Sequence, residues 1–419
     1  MQDAKLRGGP DRLDAVTHEF SMSHLGVLVL CAFGLLFDGF DVQAIGFVAP
    51  ALIKDWGMTK AALGPLFSAN LFGMLIGAPL LGSLADKIGR RPILVGALVG
   101  CGVLMLLSSR ATSLQELMVL RFCTGLGLGA LLPTSLAVAS EFSPWKNRAI
   151  VVMMMSLGFV CGAAIGGAVS AHLIPVYGWG SVFLFAGCGS IVAGAIQFFW
   201  LPESRKPMSK TPEGVIPEEG LKPLFRRNYI LITLLLWLVN FANLLDLYLL
   251  SSWLPTLLAE AKLPFRTAVL ATSVFQSGGV PATILISILA RRIKFTWLVL
   301  ANFFIGSISM IGIGVAVGSS VPLLFVAIFL AGFCVVGGQS GVNALGAYYY
   351  PSRMRAAGMG WASGIGRFGS AAGPIFAGLI VATHMGTEAV FYGAALAGVL
   401  GFVCMIALRK CGRHSEDQV

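Results

Sequence analysis

The sequence predicts an all-α membrane protein, with twelve transmembrane helices arranged as two related six-helix halves. Three observations carry this. Of the 419 residues, 57% are hydrophobic and only 11% are charged, against about 25% charged in an ordinary soluble domain. Apolar runs of about 20 residues, enough to cross a bilayer core, recur along the whole chain. The second half also repeats residues of the first at nearly constant offsets.

The runs fall at 24–52, 61–83, 93–110, 114–140, 149–173, 179–201, 228–258, 266–290, 295–317, 321–349, 357–383 and 387–408. In lipid every backbone N–H and C=O must be satisfied within its own segment, so such runs are helices. The short alternating segments of a membrane β-barrel are not seen. The runs divide the chain into an N-terminal segment (1–23), a first bundle (24–201), a central loop (202–227), a second bundle (228–408) and a tail (409–419). The first run follows a polar stretch with Asp3, Asp11, Asp14 and Glu19. A cleavable signal peptide would begin basic and turn apolar, so none is expected.

The net charge of +10 raises the question of nucleic acid, and its placement answers it. Of 29 Lys and Arg, Lys54, Lys60, Arg110, Lys262 and Arg266 fall on one side of the spans. Arg121 and Arg367 lie within spans, and all the others fall on the opposite side. This is the positive-inside bias, which predicts both termini in the cytoplasm. The basic excess is therefore read as a topology signal, and no nucleic-acid partner is expected. Seven of the eight cysteines lie in spans, where they behave as small apolar residues, so neither a disulfide framework nor a metal site is expected.

The polar stretch from Leu201 to Asn228 divides the chain near its middle and prompts a search for a repeat. A shift of 205 places Asp38 and Asp41 over Asn243 and Asp246, Ser68 over Ser273, and Gly73 over Gly278. A shift of 207 places Pro144 and Arg148 over Pro351 and Arg355, and Ser156, Gly162 and Gly166 over Ser363, Gly369 and Gly373. The alternative is the coincidence expected of any two Gly-rich helices. Parallel six-span repeats put a substrate site between the halves, near the bilayer midplane.

The segment Gly82-Ser-Leu-Ala-Asp86-Lys-Ile-Gly89-Arg90-Arg91 lies between spans 2 and 3. It resembles the loop signature of the major facilitator superfamily. Arg121 with Gly125, Gly127 and Gly129, and Pro202-Glu203-Ser204 after span 6, are similar to two further motifs of that superfamily. Asp38-Gly-Phe-Asp41, Tyr350-Pro-Ser-Arg-Met-Arg-Ala-Ala-Gly358 and Gly364-Ile-Gly-Arg367 resemble the aromatic acid:proton symporters. These are bacterial importers of benzoate-like and hydroxybenzoate-like acids. The resemblance covers essentially the whole chain. It implies the major facilitator fold, a multi-pass protein of the bacterial inner membrane, and transport by alternating access. It also implies an aromatic carboxylate and protons as ligands, and no cofactor beyond the proton gradient. A monomer is expected. The second half has Arg291-Arg292 where the first has Asp86-Lys87, so a latch built on Asp86 is expected to be one-sided.

An ionisable group at mid-bilayer costs about 2.5–3.5 kcal/mol on insertion scales, so each one needs a reason. Asp38 lies near the centre of span 1, and a rise of about 1.5 Å per residue puts Asp41 about 4–5 Å further out. Three residues apart, they share a helix face. So close a pair disfavours double ionisation and favours carrying one proton. Proton coupling by one of them, Asp41 for preference, is weighed against simple bonding to a neighbouring helix. Arg367, near the centre of span 11, presents a planar fork of donors that matches a carboxylate. Its alternatives are the substrate carboxylate and a permanent ion pair with Asp38 or Asp41. Arg121 in span 4 is a second candidate carboxylate ligand, or a structural partner of the span-1 acids. Asp246 mirrors Asp41; its readings are proton transfer, or hydrogen bonding to Asn240 and Asn243. Glu141 ends span 4 near Arg148. The resemblance makes it a coupling residue, and a solvated interface pair is the alternative.

Gly82, Asp86, Gly89, Arg90 and Arg91 form the loop between spans 2 and 3. The resemblance implies a gate in which Asp86 pairs with cations in one conformation and not in the other. A topological anchor would explain the basic residues but not Asp86. An aromatic acid needs apolar walls and a few polar contacts. Candidate walls are Phe37, Phe40, Phe159, Trp237, Phe241, Tyr248, Phe275, Trp361 and Phe368. Candidate readers of a ring hydroxyl are Gln276, Gln339, Asn343 and Asn70. A transporter of aliphatic acids and an efflux pump are the nearest alternative functions, with a membrane enzyme or sensor further off. The five histidines are scattered, and no phosphate-cradling Gly-Lys-Ser/Thr loop is present.

Overall fold

A computed structural model describes residues 22–143, 148–203, 222–226, 229–290, 292–351, 354–383 and 385–416. Among these the chain forms the first-half helices α1 (Met22–Trp56), α2 (Leu63–Ile88), α3 (Arg90–Ser108), α4 (Leu114–Glu141), α5 (Arg148–Tyr177) and α6 (Gly180–Trp200). The second half comprises α7 (Ile230–Glu260), α8 (Phe265–Ser277), α9 (Gly279–Leu289), α10 (Phe295–Ala316), α11 (Val321–Tyr349), α12 (Arg355–Ala382) and α13 (Glu388–Glu416). By length and apolarity these make twelve membrane spans, α8 and α9 together forming one.

The start of α4 is set locally. The Ser113 side chain accepts from the Glu116 N–H, and Glu116 reaches back to the Thr112 N–H, which caps α4 reciprocally. The span expected as one run at 266–290 breaks between Ser277 and Gly279. Pro281 explains this, because it has no N–H to give the Ser277 carbonyl and its ring crowds that turn.

The repeat is visible in the packing. Helix pairs approach closely at small residues, as membrane helices do. A Cβ at Gly73 would collide with the Phe122 carbonyl of α4, and one at Gly278 would collide with the Phe329 carbonyl of α11. Likewise Gly162 lies against the Leu36 carbonyl, and Gly369 against the Phe241 carbonyl. Each second contact is the first moved by 205 or 207 residues. We expect Gly162→Val, which drives two branches into the α1 backbone, to destabilise the fold by roughly 1–3 kcal/mol or more. A detergent melting curve checks this; Gly96→Val, where nothing stands within 4 Å, is the control.

The halves meet through α1 with α7, α2 with α12, and α5 with α8. These contacts lie toward the ends of the spans remote from the chain termini. There Ser68 donates to the Ala371 carbonyl at 2.7 Å, and the Phe67 and Trp253 rings meet edge to face at 5.5 Å. Gly46 lies against the Ser251 and Ser252 carbonyls. Lys60 pairs with Glu260 across the same end, and Arg266 meets His172 at 2.8 Å. The bundle is thus closed on one face.

Candidate functional site

A cavity of about 230 Å³ lies between the halves. Its walls are buried at Asp38 and Gln276 and become exposed at Ser340, Asn343 and Ser363. It therefore opens toward the face that carries the termini. The two walls differ in chemistry. Apart from Asp38 and Ser156, the first half contributes Leu71, Met74, Leu128, Gly129, Leu132, Phe159 and Val160. The second half contributes Gln276, Gln339, Ser340, Asn343, Ser363, Arg367 and Ser370, beside Leu244, Leu247, Tyr248 and Val336. One apolar wall and one polar wall suit a flat ring with polar substituents.

Asp38 is 1% exposed, and neither of its carboxyl oxygens has a hydrogen-bond partner. Arg367, half-buried on α12, lines the same cavity as Asp38 and Tyr248, yet forms no ion pair among the described residues. An acid and a guanidinium fork thus stand in one cavity without being joined. Ser370 donates to the Arg367 carbonyl at 2.6 Å and fixes the backbone there. Along the polar wall, Asn243 donates to the Gln339 side-chain oxygen at 2.6 Å, and Gln339 donates to Asn343 at 2.8 Å.

Asp41 sits one turn further along α1 and faces away from the cavity. It accepts from Arg121 at 2.9 Å, with both side chains fully buried. Arg121 also donates to Ser108 at 3.1 Å and Thr124 at 3.2 Å, and lies over the Phe183 ring at 4.9 Å. This is a built ion pair inside the first half.

The family model described as Major Facilitator Superfamily matches residues 31–318 and 236–418. The chain belongs to that superfamily. A gallate transporter of Pseudomonas putida is 35% identical over 413 residues, covering 92% of this chain and 91% of its own. The 4-hydroxybenzoate transporter PcaK of the same organism is 36% identical over 376 residues, covering 83% and 84%. These place the chain with the superfamily's aromatic-acid transporters, which are carriers and not enzymes. The crystallised nucleoside transporter NupG shares the fold, with a TM-score of 0.76 at 12% identity, covering 92% of this chain and 99% of that one.

Several expectations change once the side chains of this superfamily member are placed. Arg121 does not line the cavity; its guanidinium is held by Asp41. Of the two span-1 acids, Asp38 lines the cavity and Asp41, the preferred proton carrier of the sequence, does not. Phe37 packs into α6 at Gly189 and meets Phe33 edge to face at 5.3 Å. Phe40 lies against Gly166 and Phe185. Trp361 is 41% exposed, 6.4 Å from the Trp237 ring. None of these three lines the cavity, whereas Phe159, Tyr248, Gln276, Gln339 and Asn343 do.

Glu141 pairs with Arg90 rather than sitting solvated at the interface, and their side chains are only 12% and 11% exposed. The expected neighbour Arg148 has its side chain outside the described residues. Asp246 is not bonded to Asn240 or Asn243. Asn240 donates to the Leu236 carbonyl at 2.9 Å, and Asn243 to Gln339 and the Val335 carbonyl.

In the loop signature, Gly89 adopts φ +106°, which favours glycine, and the Glu203 carboxylate lies against its Cα. Arg91 donates to the Phe198 carbonyl. Gly82 has open space around it, and Asp86 is exposed with no ion pair among the described residues. Arg291 lies outside the described residues.

Sequence reasoning missed Leu71, Met74, Leu128 and Leu132 in the apolar wall. No signal in the chain separates them from lipid-facing leucines. Ser363 was detectable, because it repeats Ser156 and both line the cavity.

Proposed function

We propose that the chain imports a benzoate- or hydroxybenzoate-like carboxylate with protons across the bacterial inner membrane. Both termini face the cytoplasm, and the two halves rock to give alternating access. The observation that carries this reading is the cavity in which Arg367 and Asp38 stand unjoined between an apolar and a polar wall. The guanidinium takes the substrate carboxylate. Asp38 takes a proton, which removes a negative charge that would otherwise repel the anion. With both filled the site is neutral, and burying it between closed halves no longer strands a charge in the membrane.

With the termini inside, the conformation described is open inward and closed outward. The Lys60–Glu260 pair and the Arg266–His172 contact hold the outer closure. An exposed ion pair such as Lys60–Glu260 contributes only about 0–1 kcal/mol, which suits a gate that must open in every cycle.

Uptake of labelled benzoate, 4-hydroxybenzoate, protocatechuate, gentisate and muconate in cells expressing the chain tests this reading. The expected result is accumulation of one or more aromatic acids above the external concentration, collapsing when a protonophore is added. Accumulation indifferent to the protonophore would refute proton coupling. Transport of muconate alone would point to aliphatic acids.

A further inference from the structure

The second half holds a buried acid that the reading above leaves unused. Asp246 on α7 is 1% exposed and its Oδ1 has no hydrogen-bond partner. It borders a second cavity of about 10 Å³, whose lining includes Asn243, Asn302, Cys334 and Gly398. That is room for about one water molecule. The Nδ2 of Asn302 is likewise buried and unpartnered. Gly398 on α13 lets that helix come close, because a Cβ there would collide with the Ser307 hydroxyl and stand 3.5 Å from Oδ2 of Asp246.

The repeat explains why this acid stands alone. Asp246 occupies the place of Asp41, and the offset that relates Gly125 to Gly332 carries Arg121 onto Ile328, which is fully buried. The cation that neutralises the first acid is therefore an aliphatic side chain in the second half. A lone carboxylate in such surroundings is strongly disfavoured, and binding a proton neutralises it. A metal cation would need several oxygen ligands, whereas this wall offers an unsatisfied amide donor, which no cation can satisfy.

The acid is also wired to the substrate cavity. Asn243 lies three residues from Asp246 on the same helix face and borders the small cavity. Its amide donates to Gln339, which with Asn343 lines the central cavity beside Arg367. We propose that Asp246 is a second proton-binding site, and that its occupancy sets the amide chain Asn243–Gln339–Asn343 that faces the substrate. While Asp246 holds a proton, Asn243 is free to donate to Gln339. When the proton leaves, the carboxylate draws the amides of Asn243 and Asn302, and Gln339 loses its donor. Substrate and the second proton are then linked through one hydrogen bond.

Cys334 from α11 is the other titratable side chain in this wall. Of the groups on neighbouring elements, Asp38 of α1 and Arg367 of α12 face the central cavity. Asp41 faces Arg121, and on α7 itself Tyr248 faces the central cavity. Among the described residues, none of these charged groups therefore competes for Asp246.

This inference rests on the proton-coupled reading, and one experiment separates the two. Purified protein in liposomes, with an internal pH dye, is given whichever of the acids above the cells accumulate, and protons taken up per substrate are counted. No proton uptake by the wild type would refute the coupled reading itself. With coupling present, Asp246→Asn is expected to lower the count by one proton while exchange of labelled for unlabelled substrate continues. Asn302→Leu fills the small cavity with an apolar side chain that a membrane core tolerates, and it is expected to lower the count equally. A wild-type count in either variant overturns the second site.

Discussion

Replacing Arg367 by Lys is expected to weaken substrate binding by about 10- to 150-fold, and replacing it by Ala to weaken it more. A hydrogen bond to a charged group contributes about 1.5–3 kcal/mol, which converts to that range. Lysine keeps the charge but not the planar fork, so it loses the paired geometry that holds a carboxylate in one orientation. Two features make Arg367 the place for this effect. It is free of any ion pair among the described residues, so no internal salt bridge is broken by the change. It is also the one cationic side chain lining the cavity, so removing its charge leaves an anionic ligand there without a counter-charge. Equilibrium binding to purified protein reads the loss, and a melting curve establishes that the fold persists. Affinity within about twofold of wild type in Arg367→Lys would remove this residue from the carboxylate site.

The sequence made the scaffold more legible than the site. Helices in lipid must satisfy their own backbone, so length and apolarity alone mark the spans. The one span that differed, broken at Gly278, carries its cause in Pro281, three residues on. The repeat was legible because close helix contacts demand glycine, and Gly73, Gly162, Gly278 and Gly369 keep their spacing. The charged residues that line the cavity were legible for an equally physical reason, since Asp38 and Arg367 are costly at mid-membrane and so draw attention.

What composition did not reveal was direction. Asp38 and Asp41 share a helix face by spacing, yet one faces the cavity and the other faces Arg121. Which acid a neighbouring helix takes depends on where α4 sits, and no local pattern on α1 encodes that. The aromatics failed in the same way. Phe37 and Phe40 lie beside the acids in sequence but pack into α6 and α5, because a ring inside a bundle fills whatever groove a glycine opens. The polar wall was half legible: Gln276, Gln339 and Asn343 stood out as amides in apolar helices, whereas the leucines opposite them did not.

The buried pair of Arg121 and Asp41 carries the other large expectation. Arg121→Ala leaves Asp41 as an uncompensated acid in a dry interior. It should destabilise the fold by about 3–5 kcal/mol, the usual cost of removing one partner from such a pair. Part of that cost is the loss of the bonds to Ser108 and Thr124. Replacing both partners at once, with Arg121→Met and Asp41→Leu, should restore most of the stability, because the pair's desolvation cost vanishes with it. Melting temperatures of the two single variants and the double variant in one detergent measure this, with the non-additivity as the readout. The same series decides which acid of α1 carries the proton. If Asp38 does, Asp38→Asn loses accumulation but keeps exchange, and the apolar double variant still accumulates substrate. A double variant that folds and exchanges but no longer accumulates would move the proton to Asp41. The Arg121 pair would then be a switch that opens during the cycle, not a fixed brace of the first half.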